Sequence, residues 1–188
     1  MIIFDLDGTL ADCEHRRHFV DEYNYDQSEK GYIQEKTCNC EWFHASDPWV
    51  HKETGKKWKQ DWKAFYDACD KDEPIESTID VFITLLFDCF ETDRFIPRTI
   101  EIWSGRCESV RNKTENWLCE HGLEYSALKM RPIGDSTPDD KLKESWLDEA
   151  LSQGKKIDFV FDDRPKVVCM WRRRGIFVFN CLQSDGDF

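Results

Sequence analysis

The chain opens with Met1-Ile2-Ile3-Phe4-Asp5-Leu6-Asp7-Gly8-Thr9-Leu10, and this stretch decides the expected fold. A short apolar run that ends in an acidic residue and then a glycine is typical of a buried parallel strand leading into an active-site loop. We therefore expect 1–4 to form an interior strand of an α/β domain, with Asp5 at its carboxyl end.

The same pattern returns further along the chain. Apolar, strand-like runs lie at 99–103, 128–130, 157–161 and 176–179, and helical patterns lie at 75–90, 108–121, 138–152 and 165–174. The third helix has a clear start signal in Thr137-Pro138-Asp139-Asp140. Strands that alternate with helices predict a mostly parallel sheet flanked by helices, which is a Rossmann-like α/β fold.

The segment 13–73 interrupts this alternation. It is rich in Lys, Asp, Trp and Tyr and has no obvious parallel strand. Its second half carries aromatic residues at helical spacing, including Trp58, Trp62 and Phe65, and such a stripe indicates packing more often than ligand binding. We interpret 1–188 as a single domain and 13–73 as a cap-like insertion after the first strand.

Composition restricts the possible partners. The 188 residues include 38 acidic and 26 basic side chains, a net charge of −12, which argues against broad electrostatic binding to nucleic acid or to an anionic membrane. Any nucleic-acid contact must therefore be local. Nine cysteines without framework spacing predict reduced thiols, and no apolar run is long enough for a membrane span. We expect a cytoplasmic protein.

Polar residues follow several of the predicted strands. They are Asp5 and Asp7, the group Ser104-Gly105-Arg106, and the pair Asp162-Asp163. The carboxyl ends of parallel strands meet at one edge of a sheet, so these groups should lie close together. Four converging carboxylates would repel one another without a cation, and an all-oxygen site suits Mg²⁺. We predict a metal site formed by Asp5, Asp7, Asp162 and Asp163.

The same residues suggest a reaction. A carboxylate can attack phosphorus to form an aspartyl-phosphate, and a second acid two residues further on can protonate the leaving oxygen and later activate water. Asp5 and Asp7 fit these two roles. The Ser104 hydroxyl and backbone N–H groups near it can hold phosphate oxygens, and a lysine can neutralise charge on the transferring group.

These motifs resemble the signature of the haloacid-dehalogenase (HAD) phosphohydrolase superfamily: the opening Asp-x-Asp-Gly-Thr, Ser104, a lysine and Asp162-Asp163. In more detail, the chain is similar to the 3′-phosphatase domain of bacteriophage-type polynucleotide kinases and to standalone phage HAD phosphatases. The stretches that carry this similarity are Trp103-Ser104-Gly105-Arg106, Met130-Arg131-Pro132, Gly134-Asp135, Asp139-Asp140, Phe161-Asp162-Asp163-Arg164-Pro165, Met170-Trp171-Arg172-Arg173 and Gly186-Asp187-Phe188.

The resemblance implies roles for individual residues. Asp5 is the implied nucleophile and Asp7 the acid/base, with Mg²⁺ as cofactor. The implied phosphate-site lysine is Lys143, which lies 19 residues before Asp162 as in the family pattern, and Lys141 stays open as an alternative. The implied substrate-binding residues are Thr9, Arg16, Gly105, Arg106 and Arg131. The setting is the host cytoplasm if the chain is phage-encoded.

We therefore predict a Mg²⁺-dependent phosphomonoester hydrolase that acts on the 3′-phosphate ends of nucleic acids. A nucleotidase or small-molecule phosphatase acting on free nucleoside monophosphates is the alternative, because a long insertion can cover the site and favour small substrates. A non-catalytic HAD-like binding module is disfavoured because every motif position is filled. A structural zinc site at Cys38, Cys40, His44 and His51 stays open, although the Cys-x-Cys spacing is not the common one.

Overall fold

The computed structural model describes residues 1–21, 27–36, 47–91 and 99–182, and for 87–91 it describes the backbone only. The strands, in chain order, are β1 (Ile2–Phe4), β2 (Ala11–Asp12), β3 (Tyr32–Gln34), β4 (Trp49–His51), β5 (Glu73–Pro74), β6 (Ile100–Cys107), β7 (Ala127–Arg131), β8 (Phe159–Asp162) and β9 (Val178–Asn180). The α-helices are α1 (Glu14–Arg17), α2 (Trp62–Asp67), α3 (Glu76–Glu91), α4 (Arg111–Glu120), α5 (Asp139–Ser152) and α6 (Pro165–Arg173).

The chain forms two compact units. The core unit joins Met1–Asp12 to Asp72–Phe188, and the inserted unit is Cys13–Lys71. The inserted unit agrees within two residues with the insertion expected at 13–73, and its action as a cap stays a prediction.

A parallel sheet forms the centre of the core unit. Within the described residues it has five strands in the order β7-β6-β1-β8-β9, and each neighbouring pair is parallel. β1 lies in the middle, where Phe4 is in register with Ile102 of β6 and Phe161 of β8. The predicted mostly parallel α/β fold is therefore confirmed.

The two faces of β1 explain how the helices cover the sheet. Ile2 and Phe4 are fully buried in a cluster that includes Phe82 of α3 and Trp117 of α4. Ile3, which points to the opposite face, is buried with residues of α5 and α6, such as Leu147 and Trp171. Alternate residues of one short strand thus enter two apolar layers, as expected for a central parallel strand.

The helix starts agree with the sequence signals. α5 begins at Asp139, directly after Pro138, and α6 begins at Pro165. Proline at the start of a helix is well tolerated because its missing N–H would have had no intrahelical acceptor there. These two starts matter because α5 and α6 follow the carboxyl ends of β7 and β8.

The inserted unit has a small antiparallel pair of its own. β3 and β4 pair through Tyr32 and His51, whose rings meet edge to face at 5.2 Å. In the aromatic stripe, α2 begins at Trp62, so Trp58 lies before the helix rather than on it. Cys38, Cys40 and His44, and the closing stretch 186–188, lie outside the described residues, so the zinc hypothesis stays a prediction.

Across the described part of the chain, the structure contains no helix with the length and apolar character needed to span a membrane.

Candidate active site

The carboxyl ends of β1 and β8 bring two aspartates together with a lysine. Asp5 comes directly after β1, and Asp162 is the last residue of β8. Lys143 of α5 lies between them: its Nζ is 2.9 Å from Asp5 Oδ1 and 2.8 Å from Asp162 Oδ2. All three side chains are buried. The convergence predicted for the strand ends is therefore what the structure has.

The choice between the two candidate lysines is clear in the structure. Lys141 is exposed, with its Nζ 3.1 Å from a carboxylate oxygen of Glu144 one turn further along α5. Lys143 is on the buried face of that helix, with Leu142 and Leu147. The structure thus places Lys143, and not Lys141, beside the aspartates.

A third carboxylate completes a cluster suited to a metal ion. One oxygen each of Asp5, Asp162 and Asp163 lie within 4.8 Å of one another. Asp163 Oδ1 is buried and has no hydrogen-bond partner among the described residues, so it has a lone pair available for a cation. A divalent ion with oxygen ligands fits this donor set. Asp7 lies outside the cluster.

Charge in the cluster is unbalanced without a cation. Burial raises the pKa of Asp5 to about 6, with Lys143 opposing the rise and Asp162 adding to it. Burial, followed by the charges of Asp5 and Asp162, raises the pKa of Asp163 to about 8. Burial alone would lower the pKa of Lys143, but Asp162 and Asp5 raise it above its usual value. Three carboxylates face one ammonium, so a bound cation would favour their ionised forms.

Gly8 leaves the space that Asp163 occupies. Its φ is +82°, which a residue with a side chain adopts only under strain, and a Cβ there would lie 2.2 Å from Asp163 Oδ2. The glycine of the opening motif therefore serves two purposes. It allows the turn after Asp7, and it allows the Asp163 carboxylate to approach that turn.

Asp162 is fixed by more than Lys143. Its Oδ2 also accepts a hydrogen bond from Trp171 Nε1 at 3.2 Å, and its Oδ1 accepts one from the backbone N–H of Arg164, also at 3.2 Å. Both oxygens of Asp162 thus have donors, whereas Asp163 Oδ1 has none among the described residues. Asp163 is the better candidate for a direct metal ligand, and Asp162 orients Lys143.

Asp7 is held by Arg106. The guanidinium of Arg106 donates from Nε to Asp7 Oδ1 at 2.7 Å and from Nη2 to Asp72 Oδ2 at 2.5 Å. The Arg106 side chain is fully buried, whereas that of Asp7 is 22% exposed. In the structure the buried guanidinium of Arg106 is bound by two protein carboxylates, as a buried charge requires, and contact of Arg106 with the substrate stays a prediction.

Ser104 and Gly105 lie within β6, at the point where its register with β7 shifts between Ser104 and Cys107. Ser104 is buried, and its Oγ accepts a hydrogen bond from the backbone N–H of Arg106 at 3.1 Å. A Cβ at Gly105 would lie 2.8 Å from Asp139 Oδ1, so a larger residue there would displace that carboxylate. The start of α5 is therefore close to this part of β6.

Arg131 joins these two segments. It donates to the carbonyl oxygen of Gly105 at 3.1 Å and to that of Thr137 at 2.5 Å, and it forms an ion pair with Asp139. Arg164 binds the other oxygen of Asp139. Arg131 thus links β6 to the start of α5, and substrate binding by Arg131 stays a prediction.

Two further predicted residues remain without a demonstrated role. Thr9 is fully buried, and its Oγ1 has no hydrogen-bond partner among the described residues. Arg16 belongs to the inserted unit. Its Nη1 is 3.3 Å from the carbonyl oxygen of Phe65, and its guanidinium carbon lies 4.2 Å from the centre of the Phe65 ring. Substrate binding by Thr9 or Arg16 stays a prediction.

Sequence reasoning missed Asp72 and Trp171 as parts of the site. Trp171 was recognised only as part of the family resemblance, and no pattern assigned its indole N–H to Asp162. Asp72 belongs to no motif, although it is the first residue after the insertion. A buried arginine needs an anionic partner, and that requirement could have prompted a search for Asp72.

Comparisons with known proteins identify the family of this chain. The sequence pattern of the family described as the polynucleotide kinase PNKP phosphatase domain matches residues 64–188. The match contains Ser104, Lys143 and the pair Asp162-Asp163, and it begins after Asp5 and Asp7.

One similar protein is a putative bifunctional polynucleotide kinase/RNA ligase of Autographa californica nuclear polyhedrosis virus, which is 29% identical over 130 residues, 67% of this chain and 18% of the viral protein. A chain in the Pnkp1/Rnl/Hen1 RNA repair complex has a TM-score of 0.62 at 23% identity; all of the present chain aligns with 43% of it. This chain thus spans less than half the length of either.

The fold is also found in a haloacid dehalogenase-like hydrolase, SP0104 of Streptococcus pneumoniae, with a TM-score of 0.57 and 14% identity over 95% of this chain and 82% of that one. The predicted resemblance is thereby confirmed at the level of both fold and family. Membership of this superfamily suggests a divalent metal. The matched range, the sheet and the buried carboxylate–lysine cluster lead to one assignment: this chain is a phosphatase of the HAD type and belongs to the family of polynucleotide kinase PNKP phosphatase domains.

Proposed function

We propose that this protein is a Mg²⁺-dependent phosphatase that removes 3′-phosphate groups from nucleic acid ends through an aspartyl-phosphate on Asp5. The observation that carries the proposal is that Lys143 of α5 lies between the buried carboxylates of Asp5 and Asp162 at the carboxyl ends of adjacent strands, with the carboxylate of Asp163 beside them. An ionised carboxylate beside a lysine and a candidate cation site can act as a nucleophile toward a phosphate ester.

The first step transfers the phosphoryl group. An Asp5 carboxylate oxygen attacks phosphorus, the bond between phosphorus and the ester oxygen breaks, and the carboxyl group of Asp7 donates its proton to the departing oxygen. Lys143 holds the attacking carboxylate in place and offsets negative charge on the transferring group. Backbone N–H groups near Ser104 could donate hydrogen bonds to phosphate oxygens.

The second step releases inorganic phosphate. The Asp7 carboxylate, now deprotonated, takes a proton from a water molecule, whose oxygen attacks phosphorus. The bond between phosphorus and Asp5 then breaks, which restores both carboxyl groups to their starting forms. One residue serves as acid in the first step and as base in the second, so it needs access to both the leaving oxygen and water. The partial exposure of Asp7 is consistent with that requirement.

Asp5 and Asp163 would bind the metal ion directly. Asp162 would support the site by orienting Lys143. When bound, Mg²⁺ would supply positive charge that binds and orients phosphate oxygens. Two observations support this assignment: Asp163 Oδ1 has no hydrogen-bond partner in the described part of the chain, and the pKa values of Asp5 and Asp163 are raised.

The substrate class rests on the family and on the proteins that this chain resembles, whose names refer to polynucleotides and RNA repair. A nucleotidase is the second candidate. It is favoured by the inserted unit, which is compact and carries a partly exposed aromatic group at Trp62, with Phe65 and Tyr66 beside it.

The test compares substrates under identical conditions. Phosphate release is measured with Mg²⁺ and a 3′-phosphorylated oligonucleotide, a 5′-phosphorylated oligonucleotide or free nucleoside monophosphates, with Asp5→Asn as the inactive control. We expect kcat/KM for the 3′-phosphorylated oligonucleotide to exceed that for the nucleotides about a hundredfold, which corresponds to ~2.7 kcal/mol of transition-state preference. A preference of that size for nucleotides would identify a nucleotidase, and full activity of Asp5→Asn would exclude the proposed mechanism.

A further inference from the structure

A buried ion-pair network lies directly behind the candidate acid. Its centre is Arg106, which is fully buried and lies between Asp7 and Asp72. The side chain of Asp72 is also fully buried, whereas that of Asp7 is 22% exposed. The network thus runs from an interior carboxylate, through a guanidinium, to a carboxylate at the surface of the site.

The guanidinium reaches its partners with different edges. Nε and Nη2 lie 2.7 Å and 2.5 Å from the same Asp7 oxygen, and Nη2 is also 2.5 Å from Asp72 Oδ2. Nη1 lies 3.5 Å from Thr114 Oγ1. Because a guanidinium is planar and its donors are fixed in direction, partners on several edges leave it little freedom to rotate.

Asp72 is itself well anchored. Its carbonyl oxygen accepts a hydrogen bond from Trp117 Nε1 at 2.8 Å, which ties it to α4. The next two residues form β5, which pairs with β2, and β2 follows shortly after Asp7 in the chain. Hydrogen bonds thus hold the backbone on both sides of the network, and the carboxylate of Asp72 holds Arg106 in place.

We propose that Asp72 is a positioning residue that, through Arg106, fixes the carboxyl group of Asp7 in the orientation needed to protonate the leaving oxygen. The inference rests on the proposed function, in which Asp7 is the acid. Because the side chain of Asp72 is fully buried, we assign it an effect through Arg106 and not through contact with the substrate. Without its charge, Arg106 has one carboxylate fewer to hold it, and Asp7 loses a fixed support.

The leaving group provides a specific test. A 3′-phosphorylated oligonucleotide releases an alkoxide, which needs a proton as the bond breaks, whereas 2,4-dinitrophenyl phosphate releases a stable phenolate, which does not. A misplaced acid should therefore slow the first reaction selectively. The quantity to compare is kcat/KM, because it covers only the steps up to departure of the leaving group, and not the later hydrolysis of the aspartyl-phosphate.

The variant to test is Asp72→Asn, which keeps the size and a hydrogen-bond acceptor and removes the charge. Proton transfer by a positioned group is worth about 10²–10⁴-fold in rate, and misplacement by about 1 Å can cost 10²-fold. We expect kcat/KM for the oligonucleotide to fall by about 10–100-fold, with less than a threefold fall for 2,4-dinitrophenyl phosphate. Asp72→Glu should restore part of the lost activity, because it returns the charge to Arg106.

Glu101→Gln is the matched control. Glu101 is a buried carboxylate on the same strand as Arg106, and it is held by Trp103 Nε1 at 2.8 Å and Lys155 Nζ at 2.7 Å. Removing its charge perturbs the core to a similar degree without touching Asp7. We expect any change in its activity to be the same for both substrates.

The outcomes separate the inference from the proposed function. Asp72→Asn could instead lower kcat/KM equally for the two substrates, or lower it for neither. If Asp7→Asn still shows the leaving-group dependence, either result would overturn the positioning role of Asp72. If Asp7→Asn shows no such dependence, the acid role of Asp7 fails, and the role of Asp72 fails with it. A selective loss in both variants, absent from Glu101→Gln, supports the inference.

Discussion

Substituting Gly8 by Ala should weaken metal binding while leaving the protein folded. The added Cβ would lie 2.2 Å from Asp163 Oδ2, well inside the 3.0 Å that real Cβ atoms keep, so the carboxylate must move by roughly an ångström. Mg²⁺ binds its oxygen ligands at about 2.1 Å and tolerates little distortion, so a shift of this size removes Asp163 as a ligand. We expect metal affinity to fall by about 10–100-fold, the range found when metal sites lose supporting contacts.

The substitution also strains the backbone, and this effect needs its own control. An alanine at a φ of +82° costs about 1–2 kcal/mol in any location. Gly134 has the same φ of +82°, and a Cβ there would have no neighbour within 4 Å. Gly134→Ala therefore reproduces the strain without the contact.

The assay is the Mg²⁺ concentration that gives half-maximal phosphate release, measured for both variants and the parent protein. The rise in thermal midpoint on adding Mg²⁺ gives a second readout that does not depend on turnover. Gly8→Ala should need at least about tenfold more Mg²⁺ than Gly134→Ala. If the two variants respond to Mg²⁺ alike, the approach of Asp163 to Gly8 has no part in metal binding, and our reasoning is refuted.

Three other predictions concern the same cluster. Lys143→Met should lower kcat by about 10²–10³-fold, as expected for loss of a group that stabilises transferring charge, while Lys141→Met should change it little because Lys141 is exposed; equal effects would contradict the assignment. Metal-free protein should lose stability as the pH rises from about 4 to about 8, because Asp163 has a pKa of 3.8 when unfolded and about 8 when folded, so over this range the unfolded state releases a proton that the folded state keeps; thermal midpoints should show the fall, and Asp163→Asn or added Mg²⁺ should reduce it. Gly105→Ala should lower kcat/KM by at least about tenfold, because its Cβ would lie 2.8 Å from Asp139 and displace the part of β6 that carries Ser104; phosphate release at wild-type rates would contradict this.

Much of the site could be predicted from sequence because its main residues lie at strand ends. Asp5 and Asp162 each follow a short apolar run, and the carboxyl ends of neighbouring parallel strands meet by geometry alone. Lys143 was predicted from the family spacing, and it lies on the buried face of α5 for the same reason that Leu142 and Leu147 do. Local pattern and topology were sufficient for these residues.

The ion-pair partners could not be predicted in this way. Asp7 and Arg106 are 99 residues apart, and Arg106 and Asp72 are 34 residues apart, on elements that no shared periodicity connects. The sequence shows that an arginine is near a motif, but not whether it faces the substrate or the protein interior. In the structure, carbonyl groups and carboxylates of the protein accept hydrogen bonds from Arg106 and Arg131, and no local sequence pattern indicated these partners.

The position of β1 at the centre of the sheet has a consequence for how the protein is made. β1 is synthesised before both of its neighbours in the sheet, which are β6, beginning at residue 100, and β8, ending at Asp162. A nascent chain that stops before β8 would contain the candidate nucleophile but lack Asp162, Asp163 and the strand that supports them. We therefore expect phosphate release to require synthesis of β8, and fragments that end before it to be inert.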